Sequence, residues 1–351
     1  MIRSRNHIAI PPGATIKEQL EDRGMTQKEF AARMNMSEKH ISRLINGEVQ
    51  LTPEMAYRLE MVLGMAARFW SNLEANYREE LVKVEAENDM DEEKELAKKF
   101  PYTEMAKNGW VPETRSSVER VINLRKHFEV VRLQQLSNAK LLPGIACRRA
   151  SITEKADYAL LVWAQKAKLE ARKSKTKPID IQGLIAKVEV IRAMTTMNQA
   201  DFCVRLTEIL SDCGISLVFL PHIGGSFLQG ATFYDKNKIV MGLTVRGKDA
   251  DIFWFSLFHE LGHVVLGHLN QEEGTDEADE KDADIFAQDK LIPKSEFSAF
   301  VSKHNFSRAS ITSFAEQIGI AAGIVVGRLQ KDGYIDFRTC NDLKVKYSLP
   351  A

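Results

Sequence analysis

Along roughly the first 90 residues, apolar positions recur at the spacing of short amphipathic helices, each opened by a residue suited to capping. In TQKEFAARM, Thr26 caps a helix whose inward face carries Phe30, Ala31 and Met34. A short turn at Asn35 and Met36 leads to SEKHISRLI, capped by Ser37 and stopped at Asn46-Gly47. There Ile41, Leu44 and Ile45 share one face, while Glu38, Lys39 and Arg43 point the other way. LTPEMAYRLEMVLG places Thr52 as cap and Pro53 in the first turn of the next helix. An earlier helix runs from Thr15 to about Asp22 before Gly24, and a long one from about Ala66 to Asn88. Strand signal is nearly absent here. The charge-rich NDMDEEKE reads as a solvated linker that closes this domain.

The pattern then changes twice. SSVERVINLRKHFEVV and SITEKADYALLVWAQKAKLEARK predict amphipathic helices, the second capped near Ser151 or Thr153. The basic run KAKLEARKSKTK fits a solvated helix end better than a contact with DNA phosphate. From Asp201, DFCVRLTEILSDCG predicts a helix ending at Gly214. ISLVFLP, GATFYD and KIVMGLT follow as strands, the last two joined by a turn at Lys236-Asn237. A helix starting near Asp249 or Asp251 comes next and is apolar on almost every side, which predicts burial. The expected class is α+β: an all-α helix-turn-helix domain over 1–90, a helical middle over 91–200, and a mixed α/β domain over 201–351.

Length and composition agree with several domains, since 351 residues exceed one typical core. The formal net charge is zero, so any nucleic-acid contact must come from a local patch. Cys147, Cys203, Cys213 and Cys340 lie far apart and form no CxxC pair, which points to a reducing compartment and away from a cysteine-based zinc site. MIRSRNHIAIPPG lacks the apolar core of a signal peptide, and no apolar run approaches the roughly 20 residues that span a bilayer. A cytoplasmic protein without membrane contact is expected.

Two short helices joined by a tight turn form the unit whose second helix enters the DNA major groove. In that position Arg43 can bond guanine at two acceptors and Glu38 can accept from cytosine. Gln27 and Asn46, at helix ends, are placed to hold phosphates. Residues from about Ile8 to Tyr77, through PPGATIKEQLEDRGMTQKEFAARM, HISRLINGEVQLTPEMAYRLE and FWSNLEANY, resemble the Cro/C1-type helix-turn-helix family. Within it they resemble the antitoxins of host-inhibition-of-growth systems. The resemblance implies a homodimer on palindromic double-stranded operator DNA, with Gln27 and Asn46 on phosphates and Glu38, Lys39 and Arg43 on bases. It leaves open whether a toxin partner exists.

The buried helix carries FHELGHVVLGH, Phe258 to His268. His259 and His263 stand four residues apart, slightly more than one turn, so both imidazoles project from one face and can grip one ion. Glu260 sits beside them, placed to move a proton without being a ligand. His268 arrives one residue early for the longer metzincin motif and reads as a helix-end histidine. A third ligand is sought in EADEKDADIFAQDKLIP, where Glu280 and Asp284 share a helical face. Glu280 would bind the metal and Asp284 would receive the free N–H of a ligand histidine. Asp279 and Asp282 stay as rival ligands.

FWFSLFHELGHVVLGH and EKDADIFAQDKLIP, with GATFYDKNKIVMGLT and IAAGIVVGRLQ, resemble the ImmA/IrrE metallopeptidase family over about 206–335. That resemblance implies dependence on Zn2+, with His259, His263 and Glu280 as ligands and Glu260 as catalytic base. Where many members have glutamate just before the alanine, this chain has Asp282. Characterised members cleave a repressor or other regulator. An oxyanion donor is expected from Tyr234, His222 or Arg246. The tail ASITSFAEQIGIAAGIVVGRLQKDG has a helix-turn-helix rhythm, but Ile324, Val325 and Val326 sit where polar readers would be, so it reads as packing. Two functions remain open. One is a DNA-bound regulator whose zinc endopeptidase domain cuts itself or a partner regulator. The other is an antitoxin-type repressor whose metal domain binds or senses without cutting.

Overall fold

The computed structural model describes residues 2–4, 7–88, 90–137, 154–224, 230–244, 249–270 and 275–347. They fall into two units, Met1–Lys94 and Glu95–Ala351. In the N-terminal unit, two-residue strands β1 (Ile2–Arg3) and β2 (Ile8–Ala9) pair antiparallel. This short ladder escapes a sequence reading because two residues carry no alternation. Helices α1 (Gly13–Asp22), α2 (Gln27–Arg33), α3 (Glu38–Ile45) and α4 (Pro53–Leu63) follow, then α5 (Ala67–Asn88). The helix expected to open at Thr15 instead begins at Gly13, after Pro12 and with no side-chain cap, whereas the next three caps form as their residue types require. Thr26, Ser37 and Thr52 accept from the backbone N–H groups of Glu29, His40 and Met55. Phe30, Ile41, Leu59, Leu63 and Trp70 are essentially buried and make one core with Ile16 and Met34.

Arg58 adds a device that periodicity does not reveal. Its Nη1 donates to the carbonyls of Met34 and Asn35 at 2.9 and 3.2 Å, inside the turn between α2 and α3. Asn35 has a positive φ of 51°, so this turn is held in a tight conformation by a charged group from α4.

The described part of NDMDEEKE is helical and not a solvated linker: Asn88 ends α5, and α6 spans Met90–Ala97. Met90, Glu93 and Ala97 recur at helical spacing and are buried, so one face of the helix packs inward despite the charge content.

The C-terminal unit continues with α7 (Tyr102–Lys107), α8 (Ser117–Phe128), α9 (Glu154–Ala171), α10 (Ile181–Ala193) and α11 (Gln199–Asp212). The capping of α9 at Ser151 or Thr153 lies outside the described residues. The basic run at the end of α9 is paired: Lys166 and Lys173 with Glu170, Lys168 with Asp235, Arg172 with Glu129. Strands β3 (Ile215–Leu220), β4 (Gly230–Asp235) and β5 (Lys238–Thr244) form a sheet in the order β3-β5-β4. The β3–β5 pair is parallel and β4–β5 antiparallel, leaving β4 at an edge. Ile239, Met241 and Leu243 enter the main core with α12 (Ala250–Leu266), whereas Gly242 meets Trp163 and Ala167 of α9. The alternating faces of β5 are therefore both covered, which explains its uninterrupted burial.

After α12 come α13 (Glu277–Leu291), α14 (Lys294–Val301), α15 (Arg308–Ile318) and α16 (Ala322–Lys331). The α15–α16 pair bends by 115°, and Ile324, Val325 and Val326 of α16 are buried in the core, so the tail is packing. Among the described residues, no single helix is long and apolar enough to cross a membrane.

Candidate metal centre and nucleic-acid interface

In the N-terminal unit, Gln27, Glu38, Lys39, Arg43 and Asn46 are all exposed, while Ile41, Leu44 and Ile45 turn inward. Arg43 Nε lies 3.5 Å from Glu48 Oε2, a half-exposed pair that an incoming base edge or phosphate can displace at little cost. Asn46 caps the C-terminus of α3 and Gln27 opens α2. The five residues expected from the sequence are therefore exposed on α2 and α3 or at their ends.

In the C-terminal unit, α12 is buried through most of its length, and Gly262 faces Ala283, so α12 and α13 meet at small residues. That approach brings three donor groups to one point. His259 Nε2 and His263 Nε2 lie 3.0 Å apart, and Glu280 Oε2 and Oε1 lie 3.3 and 3.6 Å from them respectively. A tetrahedral site with metal–ligand bonds near 2.0–2.1 Å requires ligand–ligand edges of roughly 3.3 Å. The residues thus fit a tetrahedral ion, and His259, His263 and Glu280 could hold one.

Hydrogen-bond chemistry supports the fit. His259 Nδ1 lies 2.9 Å from Asp284 Oδ1, which places the ring proton on Nδ1 and leaves the Nε2 lone pair facing Glu280. His263 Nδ1 lies 3.1 Å from His268 Nδ1, and His268 Nε2 is 3.6 Å from Asp279 Oδ1. With the His268 proton turned to Asp279, His263 Nδ1 donates to His268 and its Nε2 lone pair faces His259 and Glu280. Two lone pairs and a carboxylate converging in a buried site repel unless a cation sits among them. The His259 pKa reflects the same field. Burial opposes the imidazolium, but the hydrogen bonds to Asp284 and Glu280 and the charge of Glu260 outweigh it and raise the pKa to about 9, so a proton and a cation compete for Nε2.

His268 is thus more than a helix-end histidine. Gly267 ends α12 in the left-handed conformation, with φ 82°, and this reversal turns His268 back against His263. The rival ligands are placed elsewhere. Asp279 closes a capping box with Asp276 and faces His268, and Asp282 is exposed.

Glu260 is held from a strand 28 positions earlier. Thr232 Oγ1, buried on β4, donates to Glu260 Oε2 at 2.6 Å. Gly230, two residues before it, leaves the space the carboxylate occupies: a Cβ there would stand 2.7 Å from Glu260 Oε1. No local motif announces Thr232. Tyr234 shares the face of β4 with Thr232 and is partly exposed, and Arg246 lies outside the described residues.

Comparison with known proteins divides the chain in the same way. The family described as Helix-turn-helix matches residues 16–70, and the family described as IrrE N-terminal-like domain matches residues 232–329. The uncharacterized HTH-type transcriptional regulator YddM of Escherichia coli (strain K12) is 40% identical over 63 residues, which are 18% of this chain and 67% of that protein. The chain therefore belongs to the HTH-type regulators through its N-terminal domain, and joins to it a peptidase-family domain of the IrrE N-terminal-like type.

Proposed function

We propose that this DNA-binding regulator is also a zinc-dependent endopeptidase that cuts itself or a partner regulator. The observation that carries the reading is the convergence of His259, His263 and Glu280, with the Glu260 carboxylate adjacent in the chain and held by Thr232. Zinc bound there would supply Lewis acidity, lowering the pKa of water to about 7 and polarising a peptide carbonyl. Glu260 takes a proton from water and returns it to the leaving amine. Thr232 fixes one carboxylate oxygen, so Glu260 needs little reorganisation to act. Asp284 and His268 orient the two imidazoles. Tyr234, on the same face of β4, is the favoured oxyanion donor. The direct test is incubation of the purified full chain with its cellular proteome, with and without chelator, and identification of new termini. Chelator-sensitive cleavage of the chain itself or of a regulator supports the proposal. With no cleavage and full metal, an antitoxin-type repressor whose metal domain binds or senses without cutting takes its place.

The N-terminal domain would work as a homodimer on a palindromic operator, α3 lying in the major groove. Arg43→Ala should cost about 1–3 kcal/mol at the operator and relax preference at one base position. Gln27→Ala should weaken binding evenly across sequences, because phosphate contacts carry no base information. Gel shifts over an operator and its single-base variants separate the two.

The outer contacts can be weighed separately. His268→Ala should lower zinc affinity by about 10–100-fold, since His263 loses the group that orients it. A chelator competition titration that finds wild-type affinity would return His268 to a helix-end role.

A further inference from the structure

The C-terminal unit also holds a cavity apart from the candidate metal ligands. A cavity of about 700 Å³ opens between the first turns of α12, the end of α13 and the end of α16. Its apolar wall includes Ile252, Phe255, Leu291, Ile324 and Phe337. The volume falls within the range of small-molecule sites, roughly 300–1,000 Å³.

One polar atom in its wall has no partner among the described residues. Asp251 is only 8% exposed, and its Oδ2 pairs with Lys344 Nζ at 2.7 Å. Its Oδ1 is buried with no hydrogen-bond partner among the described residues. A buried carboxylate oxygen left unpaired is costly, and an N–H or O–H donor would satisfy it. Two ammonium groups line the more exposed part of the cavity. Lys346 is exposed, and Lys331, half-exposed, sits 4.4 Å above the Phe255 ring. The lining is therefore apolar in its body, with an acceptor at a buried point and positive charge at an exposed one.

We propose that this cavity binds a small amphipathic acid with an N–H or O–H donor, the donor on Asp251 and the acid group on Lys331 and Lys346, and that binding adjusts the metal centre. The adjustment runs through Lys331. Its Nζ lies 3.9 Å from Asp284 Oδ2, and Asp284 Oδ1 holds His259 Nδ1 at 2.9 Å. An acid that draws Lys331 away leaves Asp284 a stronger acceptor for His259 and the ring a stronger metal ligand. This second step rests on the metal reading above. The binding site does not.

Anilinonaphthalene sulfonate is a suitable probe, because it combines an apolar body, one N–H and an anionic group. Titrated into the full chain, it should bind saturably at one site with a rise in fluorescence. Lys331→Glu with Lys346→Glu changes only partly or fully exposed side chains and should weaken binding by about tenfold. Asp251→Asn and the cavity-filling Ile252→Trp should weaken it as well, in proteins whose melting remains cooperative. Binding that is non-saturable, or unmoved in the lysine variant and the cavity-filling variant alike, overturns the site. Saturating probe should tighten zinc binding by about threefold in a chelator competition. Unchanged zinc affinity overturns the link to the metal centre. Failure to bind zinc at all, with the probe still seated, counts against the metal reading and not against the cavity.

Discussion

Glu260→Gln should abolish proteolysis while leaving the fold, the zinc and operator binding in place. The amide is nearly the size of the carboxylate, and its carbonyl can still accept from Thr232 Oγ1, which lies 2.6 Å from the native oxygen. Glu260 is also absent from the set of three converging donors, so the ion keeps its ligands. The amide cannot accept a proton from water, and general-base assistance of about 10²–10⁴-fold is lost. Rates of fragment release from the cleaved protein, measured beside zinc content, provide the check. If cutting controls the regulator, cells carrying this variant should keep target genes silent under conditions that induce the wild type. Derepression equal to wild type, with no regulator fragment on an immunoblot, would show that cutting is not the switch.

His263→Ala should remove the metal altogether. His263 is buried and supplies one of the three donor atoms; His268 meets it only at Nδ1, on the side of the ring away from His259, while Asp279 is engaged with Asp276 and His268, and Asp282 points outward. Loss of a ligand should exceed the 10–100-fold expected when only an orienting partner is removed. Zinc should raise the melting temperature of the wild type and leave the variant unmoved, since only a ligand that binds the folded state stabilises it. Operator binding should persist, because the helix-turn-helix belongs to a separate compact unit. Full zinc in the His263→Ala protein by elemental analysis would exclude the site.

The features legible in the sequence are those set over a few residues. Thr26, Ser37 and Thr52 are caps because a side-chain oxygen reaches an N–H two or three residues ahead, whatever the rest of the chain does. His259 and His263 share a face because a helix turns once in 3.6 residues, and Glu280 and Asp284 share one for the same reason. Asp284 meets His259 as that spacing predicts.

Tertiary packing decided the rest. NDMDEEKE is charged enough to read as a linker, yet burial of Met90 and Ala97 makes it a helix. Helical spacing with Asp284 favoured Glu280 over its rivals Asp279 and Asp282; the close approach of α13 to α12 at Gly262 and Ala283 is what brings Glu280 to the histidines and leaves Asp282 exposed. His268 became the partner of His263 only because the chain reverses at Gly267. Thr232 and Gly230, on an edge strand far from the motif in sequence, hold the Glu260 carboxylate and make room for it. Caps and helical faces are local interactions and are written in short stretches. The orientation of a ligand or a base depends on which distant surfaces pack together, and that is settled by burial of the whole core.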